Sequence, residues 1–127
     1  MINLKGAAFA ALVASIAMPA LADDDAEKGE KVFKKCKACH AVGEGAKNKV
    51  GPELNGIVDN EAGSVEGFKY SKAFMEKKAE GLVWTEDNLE SYLTKPKDFI
   101  PGTKMSFAGL RKEDDIENVI AYLETFE

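Results

Sequence analysis

Both cysteines and the single histidine of the 127-residue chain fall within one short run, Cys36-Lys37-Ala38-Cys39-His40. Residues at i, i+3 and i+4 share one face of a helical turn. Two thiols so spaced can form thioethers with the two vinyl groups of a haem while the neighbouring imidazole reaches the iron. This is the c-type haem attachment pattern, and it predicts one covalently bound haem c. Other chemistries fit less well. A closed zinc site needs about four ligands, and this run offers three. A thioredoxin-like dithiol belongs in a βαβ setting, and the sequence has no such alternation. A buried disulfide would leave His40 without a role.

A haem iron that carries electrons is normally held on both sides. With His40 assigned, no second histidine remains, and the thioethers consume both thiols. Tyrosine and lysine are possible donors, but imidazole–thioether ligation raises the potential and suits electron transfer. Met1 and Met18 lie in a leader described below, which leaves Met75 and Met105. Met75 sits in the helix-like run Phe74-Met75-Glu76-Lys77 and reads as a packed side chain. Met105 lies in Pro101-Gly102-Thr103-Lys104-Met105-Ser106-Phe107, an irregular segment able to present one side chain at a fixed place. Methionine is more often a core filler than a ligand, yet the count of remaining donors favours Met105. His40 and Met105 together would leave no open position on the iron, so the site should move electrons and not bind substrate.

Residues 1–22 read as a secretory signal peptide, with Lys5 in the n-region, an apolar run from Ala7 to Ala17 and the small-x-small site Ala20-Leu21-Ala22. The apolar run is short for a membrane span. The chain would then begin at Asp23-Asp24-Asp25 in the periplasm, as one small domain over residues 23–127. Its net charge is −6, because 16 basic residues remain against 22 acidic ones once Lys5 is removed. That balance argues against nucleic acid as a partner, and nothing left in the sequence would insert stably into a membrane. A domain this small has a modest protein core, and a macrocycle would supply the missing volume.

The elements that must position these donors read as all-α. Ala26, Gly29, Val32, Phe33 and Cys36 form an apolar stripe that predicts a helix from about Asp25 to Cys39. Glycine at 29 costs about 1 kcal/mol in a helix interior and implies a close neighbour. Residues 41–67 read as a long loop, unusual in a small domain unless it wraps a ligand. Ser71 is an N-cap for a short helix to Glu80, and Thr85 precedes another that must end before Pro96. Residues 95–109 read as a second loop. Ile116, Val119, Ile120 and Leu123 give a last helix, from about Lys112 to Phe126, one apolar face.

With these features the sequence resembles a class I c-type cytochrome, similar to mitochondrial cytochrome c and its soluble alphaproteobacterial relatives. The resemblance runs from Ala26 to Phe126. It is carried by Gly29 and Phe33, the Cys36–His40 run, Gly51-Pro52-Glu53-Leu54-Asn55-Gly56, Gly67-Phe68-Lys69-Tyr70, Trp84, Tyr92-Leu93, the stretch from Lys95 to Gly109, and Ile120-Ala121-Tyr122-Leu123. It implies crossing N- and C-terminal helices, with shorter helices and loops around the haem. It also implies roles at matching positions. Pro52 offers its carbonyl to the His40 ring, Tyr70, Trp84 and Thr103 meet the propionates, and Tyr92 stands beside the axial sulfur. Two positions depart from mitochondrial forms: Asn60 stands for an arginine and Phe74 for an asparagine, both near a propionate. The step from Phe33 to Cys36 is one residue shorter than in those forms.

Lys34, Lys35 and Lys37 flank the haem motif, and Lys95, Lys97 and Lys104 flank Met105, with Arg111 and Lys112 beyond. Acids crowd the N-terminus and the last helix. A basic front on an acidic body would steer a monomeric carrier onto acidic docking patches. The expected donors are a cytochrome bc-type complex or a periplasmic dehydrogenase. The expected acceptors are a terminal cytochrome c oxidase or another periplasmic reductase. The alternative is a small haem peroxidase or gas-binding haem protein with a labile sixth ligand.

Overall fold

The computed structural model describes residues 25–127; the leader at 1–22 lies outside the described residues. The described chain forms five helices: α1 (Ala26–Phe33), α2 (Lys72–Ala79), α3 (Glu86–Thr94), α4 (Pro96–Phe99) and α5 (Glu113–Glu124). The one β-type pairing among the described residues is an isolated bridge between Glu61 and Val83. It belongs to a short lattice in which Asp59 N–H donates to Trp84 O and Trp84 N–H to Asn60 O, each at 2.8 Å. This pins the main chain of Trp84, so that its ring is held inside.

Helix α1 starts where Asp25 accepts from the N–H groups of Glu27 and Lys28, at 2.9 and 3.2 Å. Such an N-cap satisfies donors that the first turn leaves free. Asp25 N–H in turn donates to Asn118 Oδ1 at 2.9 Å, tying the start of α1 to α5. The acidic first turn of α5, Glu113-Asp114-Asp115, complements the positive end of the helix dipole. The two helices pack through Gly29, Val32 and Phe33 on one side and Ile116, Val119, Ile120 and Leu123 on the other. At Gly29 the main chains touch. A Cβ there would run into the Asn118 carbonyl and lie 2.8 Å from Tyr122 Cβ. The aromatic rings of Phe33 and Tyr122 meet beside it with centroids 5.5 Å apart.

Two boundaries differ from the sequence reading. Regular α-helix ends at Phe33 and does not reach Cys39. Beyond it the chain tightens into successive turns, with Cys36 N–H donating to Phe33 O at 2.7 Å and Cys39 N–H to Cys36 O at 3.1 Å. The loop expected over 95–109 opens with the short helix α4. Pro96 occupies a first-turn position, where its missing N–H has no helical acceptor to lose. The N-caps of α2 and α3 are Ser71 and Thr85, whose hydroxyls accept from Phe74 N–H and Asn88 N–H at 3.2 Å each.

Because a side chain at position 29 has no room, Gly29→Val should destabilise the holoprotein by at least about 2 kcal/mol. Glu30→Ala, on the exposed face, should stay within about 0.5 kcal/mol. Denaturant unfolding followed at the haem absorption checks both.

Candidate functional site

The helices and loops enclose a cavity of ≈ 390 Å³. Phe33 of α1, Leu89 of α3 and Val119 and Leu123 of α5 build its apolar walls, with Ile57 and Leu110 from the loops. Every site residue expected from the sequence lines it: Cys36, Cys39, His40, Pro52, Tyr70, Trp84, Tyr92, Thr103 and Met105. A large, mostly apolar chamber with two thiols and an imidazole on its wall fits a haem, whose macrocycle needs dry walls and whose iron needs nitrogen or sulfur donors.

His40 follows from the turn geometry around it. Its N–H donates to Cys36 O at 2.9 Å, so the imidazole lies beside both thiols. The ring Nδ1 lies 2.7 Å from Pro52 O. A carbonyl only accepts, so Nδ1 carries the proton and Nε2 keeps its lone pair for a metal. Burial pushes the imidazole pKa below its ordinary value; the Pro52 carbonyl opposes that shift and Lys49 adds to it. The ring is therefore neutral at pH 7, as a ligand must be. Gly51 packs on the ring face, where a Cβ would lie 2.5 Å from Cε1. For Cys36, burial is the main force raising the thiol pKa, with Cys39 adding and Lys35 opposing.

Met105 lines the same cavity. Tyr92 O–H lies 2.8 Å from Thr103 Oγ1 and 3.9 Å from Met105 Sδ, and Met105 N–H donates to Thr103 Oγ1 at 3.3 Å. Thr103 thus serves the main chain and side chain around the sulfur. Phe74 packs edge-on against Tyr92, centroids 5.9 Å apart, and stacks on Tyr70 at 5.5 Å. Phe74, the position that departs from the asparagine of mitochondrial forms, therefore makes ring contacts. Tyr70 O–H accepts from Val65 N–H at 2.9 Å. Its proton remains available to an acceptor in the cavity. The Trp84 side chain is buried and lines the same cavity. Asn60 is exposed and does not line the cavity; its side chain accepts from Glu61 N–H at 2.9 Å. Met75 is 46% exposed on α2 and is not part of the cavity wall.

Lys35 and Lys104 border the cavity, and so does Lys69, a residue the sequence reading did not include among the flanking lysines. Lys95 pairs with Asp98 at 3.9 Å on an exposed face.

Fold and site together define a small helical haem protein with a mostly apolar chamber, the architecture of an electron-carrying cytochrome. The chain belongs to the cytochrome c family, whose model matches residues 26–127. It is 60% identical over 99 residues to cytochrome c-550 of Ancylobacter novellus, covering 78% of this chain and 92% of that one. It is 54% identical over 99 residues to cytochrome c2 of Afifella marina, covering 78% and 80%. Among solved structures it resembles cytochrome c2 from Rhodospirillum centenum, with a TM-score of 0.77, 43% identity and coverage of 81% and 98%. The protein is therefore a class I c-type cytochrome that carries one covalently bound haem c and transfers electrons; it is not an enzyme. Among the described residues no helix is long and apolar enough to cross a membrane.

Burial raises the Tyr92 phenol pKa above 10.0, with the Thr103 hydrogen bond opposing the shift. The folded state then holds this proton more tightly than the unfolded chain. Its stabilising contribution is full below about pH 10 and is lost as pH rises through the folded value. Denaturation midpoints measured from about pH 9 to about pH 11 should fall less steeply for Tyr92→Phe than for the parent protein.

Proposed function

We propose that this cytochrome is a diffusible periplasmic one-electron carrier whose iron is held by His40 on one side and Met105 on the other. The observation that carries the reading is the pairing of these two side chains on the wall of one cavity, while Met75 stands outside it. Haem supplies an iron that changes charge by one electron. The chain supplies the surroundings. His40, neutral and bonded to Pro52, offers Nε2 as a strong donor. Met105 offers a neutral thioether, which favours the reduced state. Tyr92 and Thr103 hold the Met105 segment, and the apolar walls keep water from the iron. Tyr70 keeps its O–H proton for the propionates, Thr103 keeps its own where the Tyr92 O–H donates to it, and the Trp84 indole lines the same cavity. No proton need move. The leader at 1–22 supports export.

The proposed partners are a cytochrome bc-type complex or periplasmic dehydrogenase as donor and a cytochrome c oxidase or periplasmic reductase as acceptor. Docking would use Lys34, Lys35, Lys37, Lys95, Lys97, Lys104 and Lys112, drawn to acidic surfaces. Relatives named cytochrome c2 and c-550 support the carrier role.

In the oxidised holoprotein the weak long-wavelength band of an iron–thioether bond should be present, and the reduced form should bind carbon monoxide slowly. Met105→Ala should abolish the band, speed carbon monoxide binding and lower the potential. A parent protein that lacks the band and binds the gas rapidly would instead be a gas-binding or peroxidatic haem protein.

With an isolated oxidase, the second-order rate constant should fall by about tenfold between roughly 10 and 150 mM ionic strength. Lys35→Glu should slow the low-salt rate and leave the high-salt rate nearly unchanged. A rate indifferent to salt would remove the lysine docking face.

A further inference from the structure

The Pro52 carbonyl sits on a loop, yet it must hold the His40 ring in a fixed orientation. Main-chain bonds hold that loop on both sides of the histidine. Gly51 N–H donates to Cys39 O at 2.8 Å, and Leu54 N–H donates to Ala41 O at 3.0 Å. These rungs use the residues immediately before and after His40. At Gly43, whose φ is +99° and whose carbonyl also accepts from Ala46 N–H at 3.1 Å, the main-chain rungs give way. The Asn55 side chain takes their place. Its Oδ1 accepts from Gly43 N–H at 2.8 Å and its Nδ2 donates to Gly43 O at 2.9 Å. One amide thus pairs with both main-chain groups of one residue, as an opposing strand would. The next residue, Gly56, donates its N–H to Phe126 O, which ties the same segment to the tail after α5.

We propose that Asn55 is a positioning residue for the iron ligand: its two bonds to Gly43 hold the 51–54 loop in register, and so keep the Pro52 carbonyl on His40 Nδ1. Asn55 does not border the cavity and acts only through this loop. The inference rests on the reading of His40 as an iron ligand. A firm Nδ1–H···O bond draws the ring proton toward oxygen and makes Nε2 the stronger donor, which favours ferric iron. Loosening the loop weakens that bond and raises the potential. Asparagine is specific here. Leucine offers neither bond, and aspartate keeps the acceptor but sets a carboxylate against the Gly43 carbonyl.

The test uses the intact holoprotein and proton NMR of the reduced form. In the parent protein, the His40 ring protons should carry the large ring-current shift of a haem ligand. Its absence would overturn the ligand reading, and the proposal with it. Given that shift, Asn55→Ala should speed exchange of His40 Nδ1–H with solvent by about tenfold. It should also raise the reduction potential, and amide exchange at Val119 in α5 should stay unchanged. Asn55→Asp, which adds a carboxylate that itself lowers the potential, should still raise the exchange rate, so for this variant the ring exchange is the readout. The proposal is overturned if both variants keep the parent's ring exchange and Asn55→Ala keeps the parent's potential, or if Val119 exchange accelerates as much as His40, which would mark a general loss of stability. The ring-current shift remains in either case, so the ligand reading survives that failure.

Discussion

Gly29 allows the main chains of α1 and α5 to touch, and the haem chamber inherits its floor from that contact. Phe33, one turn further along α1, and Val119 and Leu123 of α5 are both the packed faces of the crossing and walls of the cavity. The turn that carries Cys36, Cys39 and His40 starts directly where α1 ends, so the crossing also sets where the attachment residues stand. A helix glycine is a local weakness of about 1 kcal/mol. Here it gains a close main-chain approach that no other residue would permit. The remaining elements close over the chamber. Helix α3 contributes Leu89 and Tyr92, and the lattice from Asp59 to Trp84 fixes an indole against Tyr92, ring centroids 5.1 Å apart. A small domain buries a limited fraction of its surface; here Phe33, Phe74, Trp84 and Tyr92 pack on other aromatic rings and also line the cofactor cavity.

The two sides of the chamber are built by different means. On the His40 side, backbone bonds at Cys39 and Ala41 and the Asn55–Gly43 pair dominate. Backbone geometry varies little, which suits a group whose ring orientation and proton position both matter. On the Met105 side, side chains do the holding: Tyr92 and Thr103 bond each other, and Thr103 accepts from Met105 N–H. A thioether has a flexible stem and weak acceptor character, so its place has to come from its neighbours. Phe74 packs against Tyr92 and Tyr70 and replaces polar contacts with ring contacts. That side of the chamber is therefore aromatic and dry.

The parts of this arrangement that were legible in the sequence share a property: few residue types can do what they do. Cysteine and histidine at i, i+3 and i+4 point to haem because both are scarce and nothing is left over. Gly29 points to a helix crossing because glycine is costly there, and Ser71 and Thr85 mark helix starts because their hydroxyls answer free N–H groups. Other features were hidden for equally specific reasons. Pro96 reads as a breaker, although a proline in the first turn is compatible with α4. The end of α1 at Phe33 is a change from longer- to shorter-range turn bonds, and an apolar stripe continues straight through it. Lys69 lies far along the chain from the motif and reaches the cavity only through the fold. Asn55 was visible as part of a matching run, but its bond to Gly43 spans twelve residues and leaves no periodic trace.

The division between the two walls also bears on how such a site can tolerate change in charge. When the charge on an enclosed metal changes, dipoles able to turn will turn, and that motion slows electron transfer. The dipole nearest His40 is the Pro52 carbonyl, fixed by rungs on both sides of the histidine. The dipoles nearest Met105 are hydroxyls already committed to each other at 2.8 Å. Aliphatic and aromatic groups with little capacity to reorient make up most of the remaining surface. Preorganised polar groups in a water-excluded site need not rearrange when charge develops. On the proposed ligation, the cytochrome's dry walls and bound dipoles are then a single device, which keeps the surroundings of the oxidised and reduced iron nearly alike.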